Sequence, residues 1–210
     1  GACSVVLGEL KNNEIKYKVI NSCICLLPTI NGKQLIVVED LSDEKGYLHP
    51  VQEAMVRHHG SQCGFCTPGF VMSMFSMFKN NKSFTNSIIN ESIAGNLCRC
   101  TGYKPIIKAA KSLNIKDRKD HFYNNKKNTI KLLKKINHLS IVLYNKGKEY
   151  FAPRYISELK KILKKRPEAR IISGQTDVAL EITQARQDIN SIVYLNSIKE
   201  LNFIKKEKKY

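Results

Sequence analysis

Gln62-Cys63-Gly64-Phe65-Cys66 and Leu97-Cys98-Arg99-Cys100 are two tight cysteine pairs, with 31 residues between Cys66 and Cys98. The residues around and between them have a helical pattern. Pro50 suits a first helical position, Val51, Met55 and His58 share one face, and Gly60 can end the turn. Thr67 is expected to cap a second helix, with Pro68 at its first position and Phe70, Met74, Met77 and Phe78 on its apolar face. Thr85 is expected to cap a third helix, which carries Ile88, Ile89 and Ile93 and stops at Gly95. Pro105 opens a fourth, with Ile106, Ile107 and Ala110. Four short helices with short loops predict an up-down-up-down bundle. The first and third loops of such a bundle lie at one end, so the topology brings four thiols together.

Four thiolates suit two chemistries. Two ferric ions bridged by two sulfides take two thiolates per iron. The oxidised cluster is an anion and needs backbone N–H donors, which Gly64 and the loop residues can supply at close range. A structural zinc also accepts four cysteines, but its usual form spaces each pair by two or more residues. The single residue between Cys98 and Cys100 departs from that, and the spacing leaves both metals open. His58 and His59 precede Cys63 by five and four residues and read as packing or surface residues, since four thiolates already complete the site.

Composition narrows the class. The 210 residues, 42% of them apolar, suffice for one large or two small cores, and no run is long enough to cross a bilayer. No charged-then-apolar leader opens the chain, and seven cysteines, an odd number, argue against a disulfide framework. Cytoplasmic thiols that bind metal are the expectation. The chain begins at Gly1-Ala2-Cys3 rather than Met, as expected of a fragment. The net charge of +17 invites a nucleic-acid reading, but residues 1–110 contribute only +3, against +8 from 111–149 and +6 from 150–210. The excess lies in a Lys/Asn-rich stretch without interleaved aromatics, so neither a nucleic-acid nor a membrane partner is expected.

Upstream, Ser4-Val5-Val6-Leu7 reads as a strand ending at Gly8, and Glu14–Ile20 alternates apolar and polar residues. Asn31-Gly32 predicts a hairpin between Cys25–Ile30 and Gln34–Val38. Downstream, 113–149 reads as a surface linker with a short helix around Thr129–Asn137. Ser157–Lys165 then reads as a helix, and Arg170-Ile171-Ile172 and Ser191–Leu195 as strands, which together suggest an α/β unit. In Ile171-Ile172-Ser173-Gly174-Gln175-Thr176-Asp177-Val178 a glycine ends a strand where consecutive N–H groups can cradle a phosphate. By itself that is also what a plain strand-to-loop turn looks like.

Residues 47–110, from Tyr-Leu-His-Pro-Val-Gln-Glu-Ala-Met through Gly-Ser-Gln-Cys-Gly-Phe-Cys-Thr-Pro-Gly-Phe to Asn-Leu-Cys-Arg-Cys-Thr-Gly-Tyr-Lys-Pro-Ile, closely resemble the helical [2Fe-2S] domain of the xanthine oxidase family of molybdenum hydroxylases. The resemblance implies that Cys63, Cys66, Cys98 and Cys100 hold one [2Fe-2S] cluster. It also implies that Gln62 and the Cys100 loop lie near the pterin of a molybdenum cofactor. Gly1-Ala2-Cys3 and Asn21-Ser22-Cys23 resemble the end of the family's plant-type ferredoxin (β-grasp) domain, with Cys3 and Cys23 as its third and fourth ligands. The first two would precede Gly1, so these residues alone are not expected to complete a second cluster. Cys25 has no place in that pattern and reads as a buried strand thiol.

Ile171–Val178, with Pro167-Glu168-Ala169 before it, resembles the pyrophosphate-binding segment of the same family's FAD domain. The fold implied is α+β: truncated ferredoxin-type strands (1–46), a four-helix [2Fe-2S] bundle (47–112), the linker (113–149) and the start of an α/β FAD-binding, PCMH-like domain (150–210). The arrangement implies an electron-transfer subunit, with a molybdenum-cofactor subunit as partner. Electrons would leave that subunit's purine-hydroxylating site through the clusters to FAD and NAD. A related aldehyde or N-heterocycle hydroxylase is the near alternative, and a zinc-stabilised binding module the distant one.

Overall fold

Asn12 and Asn13 both take positive φ, 50° and 61°, which lets a two-residue turn reverse the chain. It joins β1 (Ser4–Lys11) to β2 (Glu14–Asn21), paired antiparallel from Ser4↔Asn21 to Lys11↔Glu14. In this computed structural model, which describes residues 1–136 and 139–205, β1 therefore runs through Gly8 instead of ending there. The hairpin expected at Asn31-Gly32 does not form. Pro28 helps shape a 3-10 turn over Leu27–Ile30, Asn31 has a negative φ of −57°, and β3 (Gln34–Ile36) pairs with β1 instead. The first sheet has the order β2-β1-β3.

The helices follow: α1 (Pro50–Arg57), α2 (Thr67–Asn80), α3 (Asn86–Ile93) and α4 (Lys104–Ser112). Pro50 is the first residue of α1 and Thr85 caps α3 by accepting from the Ile88 N–H, both as expected. Thr67, by contrast, does not cap α2. It lies inside the helix and donates its hydroxyl to Ser61 at 2.7 Å, while Cys66 occupies the cap position. Helix α1 packs on α2 and α4, and α3 on the same two. Helix α2 also lies against β1 and β2, so every residue from Gly69 to Phe78 is buried and no single apolar stripe can be defined.

The Lys/Asn-rich stretch 113–149 carries more structure than its composition predicts. It contains α5 (His121–Asn124), α6 (Lys126–Ile136), β4 (Ile141–Asn145) and the start of β5 (Lys148–Ala152). Phe122 and Leu133 anchor the two helices in the same core as Phe70, Phe75 and Phe78. Asn137, the last residue of the helix read from sequence, lies outside the described residues. Lys146 and Gly147, at φ 48° and 78°, make the β4–β5 hairpin that the linker reading missed.

Then come α7 (Ile156–Lys165), β6 (Arg170–Ile172), α8 (Thr176–Thr183) and β7 (Ser191–Tyr194). The second sheet has the order β4-β5-β7-β6, with β4 antiparallel to β5 and β7 parallel to both β5 and β6. Parallel strands need crossovers, which α7 and α8 supply. The chain divides into two compact units, Gly1–Cys23 with Gly32–Ile136, and Ile24–Asn31 with Asn137–Tyr210. The architecture is mixed α and β throughout. Among the described residues no helix is long and apolar enough to cross a membrane.

One close approach fixes how α2 meets the start of the chain. A methyl group on Gly69 would overlap the Gly1 carbonyl oxygen and the Asn96 side-chain oxygen. Gly69→Ala is therefore expected to lower the stability of the first unit by about 1–3 kcal/mol, the usual range for overpacking. An unchanged chemical-denaturation midpoint would show that the helix and chain start are not in contact.

Candidate functional site

The loop before α2 and the loop before α4 carry the four thiols. Gly64 takes φ +86°, a left-handed conformation that turns the chain back between Cys63 and Cys66. The Gly64 carbonyl accepts from the Thr67 N–H at 3.1 Å, which ties the loop to the first turn of α2. The second loop is held from α4. The Cys98 N–H donates to the Tyr103 hydroxyl at 3.0 Å, and the Tyr103 N–H to the Thr101 hydroxyl at 3.1 Å. The Tyr103 ring meets Phe70 of α2 edge-on at 6.2 Å, so one aromatic contact ties the two loops to a common core.

The thiols meet as two pairs. Cys63 interacts with Cys100, and Cys66 with Cys98. Among the described residues no three His, Cys, Asp or Glu side chains converge closely enough to hold a single metal ion. One partner in each pair is shifted toward its anionic form. The Phe65 N–H, and then the Cys100 thiol, bring the Cys63 thiol below its usual range. The Thr101 hydroxyl, 3.2 Å from the Cys98 sulfur, and the Thr101 N–H lower Cys98 to about 7. Their partners move the other way: burial and the interaction with Cys98 push Cys66 up to about 11, and the interaction with Cys63 raises Cys100. Cys98 is buried, while Cys63 and Cys100 are exposed.

Exposed Gln62 directly precedes Cys63, and Phe65 and Leu97 stand beside the thiols at 79% and 83% exposure. His58 and His59 are half-buried and exposed, respectively. Cys3 and Cys23 form a third pair with their sulfurs 3.2 Å apart, bridged next to it by the Ser22 N–H donating to the Cys3 carbonyl at 3.1 Å. The Cys23 backbone lowers Cys3, and the bond to Cys3 raises Cys23. The sequence pointed to backbone donors in these loops without singling out Phe65 or the Thr101 hydroxyl. Thr101, next to Cys100, was the available signal.

In the second unit, Ile171 and Ile172 end β6, and Ser173, Gly174 and Gln175 turn the chain into α8, which starts at Thr176, Asp177 and Val178. The Ser173 hydroxyl donates to the Asn196 side-chain oxygen at 2.6 Å. Among the described residues no side chain caps α8, which leaves its first-turn N–H groups open to an anion. Gly174 has no positive φ, and a methyl group added there would meet nothing within 4 Å. Neither backbone conformation nor packing among the described residues calls for a glycine there.

A family model described as a [2Fe-2S] binding domain matches residues 37–111, and one described as an FAD binding domain in molybdopterin dehydrogenase matches residues 144–210. Xanthine dehydrogenase from Oryza sativa subsp. japonica is 43% identical over 128 residues, 60% of this chain and 9% of its own length. Xanthine dehydrogenase from Emericella nidulans is 28% identical over 247 aligned positions that take in 96% of this chain and 18% of its own length. Aldehyde oxidase 1 from Bos taurus is 40% identical over 114 residues, 53% of this chain and 8% of its own length. The chain thus spans less than a fifth of these relatives.

Proposed function

Because this chain belongs to the xanthine oxidase family of molybdenum hydroxylases, we propose that it is the iron–sulfur and flavin-binding part of a xanthine dehydrogenase. The observation that carries this reading is the meeting of four thiols as Cys63 with Cys100 and Cys66 with Cys98. Two irons ask for two pairs, whereas one zinc asks for four sulfurs around a single point. A [2Fe-2S] cluster bound by these residues supplies reversible one-electron transfer. The Phe65 N–H and the Thr101 hydroxyl and N–H put partial positive charge where that anion would sit.

Cys3 and Cys23 are proposed as two ligands of a ferredoxin-type cluster in a domain spanning 1–46, with the helical domain at 47–112. Ile171–Val178 is proposed as the flavin pyrophosphate segment of a domain covering 150–210, joined through 113–149. Open N–H groups at the start of α8 and free space at Gly174 support that assignment. Gln62 is proposed to face the molybdenum cofactor on a partner subunit, from which electrons would reach NAD after FAD.

A second reading, an aldehyde- or N-heterocycle-oxidising relative, is favoured by the 40% identity to the bovine aldehyde oxidase. Two measurements test these proposals. The 210 residues, reconstituted with iron and sulfide and then reduced, are expected to give one [2Fe-2S] EPR signal; two distinct signals would mean that Cys3 and Cys23 complete a second cluster unaided. In the assembled enzyme, xanthine is expected to bleach the visible absorbance. Bleaching by aldehydes alone would favour the second reading, and bleaching by neither would remove both.

A further inference from the structure

The segment directly after Cys23 belongs to the flavin-side unit. Ile24–Asn31 is part of the second unit, and Leu26 packs on the core formed by Tyr150, Ala152, Ile172, Ile192 and Tyr194. Thr29 is 4% exposed. Its hydroxyl donates to the Leu26 carbonyl at 2.7 Å, which leaves the oxygen lone pairs as acceptors. The Gln175 side-chain N–H donates to that oxygen at 3.0 Å, with a second, longer approach to the Cys25 sulfur at 3.6 Å. The committed Thr29 proton therefore decides which way the Gln175 amide points.

Gln175 is where the turn into α8 is made, at φ +63° without being glycine. Such a conformation costs about 1–2 kcal/mol and persists only where the surroundings hold it. The side-chain amide supplies that hold. Its Oε1 is buried and has no hydrogen-bond partner among the described residues, so Thr29 and Cys25 are the anchors the structure shows for this side chain.

The geometry points to Thr29 as a positioning residue for the flavin-phosphate turn: through Gln175 it keeps Ser173–Thr176 preformed before a flavin arrives. This rests on the assignment of Ile171–Val178 to FAD. It also gives the segment after Cys23 a place in shaping the flavin site, which no metal ligand in that segment would provide. Cys25, with its longer contact, is a lesser contributor.

The test uses the full enzyme that carries this chain, with FAD as the probe. Thr29→Val is expected to weaken FAD binding about tenfold, as for loss of one anchoring hydrogen bond at a strained turn. In the flavin-free protein it is expected to speed amide exchange at Gln175–Val178 by a similar factor, and Thr29→Ser should restore both. In a Gln175→Gly background the positive φ carries no strain, so Thr29→Val should then change little. Unchanged exchange and affinity in Thr29→Val, or an equal loss with Thr29→Ser, overturns the proposal. Gly174→Ala separates it from the underlying assignment. That variant should fold normally and lose FAD, and if its affinity is unchanged the flavin assignment fails while amide exchange still decides the role of Thr29.

Discussion

Cys98→Ser is expected to remove the cluster, cutting bound iron and visible absorbance about tenfold or more, since changes even to groups behind metal ligands cost 10–100-fold. Cys98 is the most deeply buried of the four thiols, and the Thr101 hydroxyl and N–H hold it near pKa 7, close to the thiolate that iron requires. A serine hydroxyl has no comparable anionic form near neutral pH, so the Thr101 donors would stabilise nothing. Its partner Cys66, which burial pushes up, would lose the thiol it pairs with. Cys25→Ser is the internal control. Its thiol belongs to the other unit, hydrogen-bonded around Thr29, and iron content should stay unchanged. Full iron content in Cys98→Ser would contradict the assignment of the site.

Asp120→Asn is expected to destabilise the first unit by about 3–5 kcal/mol, the range for breaking a buried ion pair from one side. The Asp120 side chain is 5% exposed and Lys79 8%, and Lys79 Nζ reaches both carboxylate oxygens at 2.8 and 3.0 Å. The Tyr123 N–H donates to the same group, which caps α5, and His49 completes it. His49 Nδ1 accepts from the Val51 N–H at the start of α1, so its proton sits on Nε2 and points to Asp120 at 2.9 Å. One carboxylate therefore joins α1, α2 and α5.

Burial alone would raise the Asp120 pKa, but His49 and Lys79 hold it at about 2, below its ordinary 3.8. Because the folded value is depressed, the contribution of about 2 kcal/mol is complete above pH 4 and is lost as pH falls through 2. Wild type should show that acid titration of stability and Asp120→Asn should not. The double variant with Lys79→Met should cost less than the two single changes together, because no charge is then stranded. A neutral effect of Asp120→Asn on the denaturation midpoint would remove the network from the account.

The sequence was most legible where chemistry and periodicity coincided. Pro50, Thr85 and the two cysteine pairs announced helices and loops that the structure has, because caps and prolines act locally. Asn31-Gly32 misled because the hairpin signal presumes flanking strands, and Pro28 and a different unit claim the residues on one side. The turn at Asn12-Asn13 is the reverse case: asparagine tolerates left-handed backbone, but it signals this more weakly than glycine. The lysines and asparagines of 113–149 hid α5 and β4 and left α6 (Lys126–Ile136) legible only as a short helix, since only a few buried side chains such as Phe122 and Leu133 secure them. At the candidate site, the four thiols and the need for loop N–H donors were readable, and which residues donate was not. A hydrogen bond from Phe65 or Thr101 depends on loop shape, and Thr29 meets Gln175 across 146 positions of sequence.

Iron and acid-labile sulfide, measured together on the purified 210 residues, test the central assignment most directly. Two thiol pairs predict about two irons and two sulfides per chain, all lost when Cys63, Cys66, Cys98 and Cys100 become serine. One zinc per chain with no sulfide would contradict it.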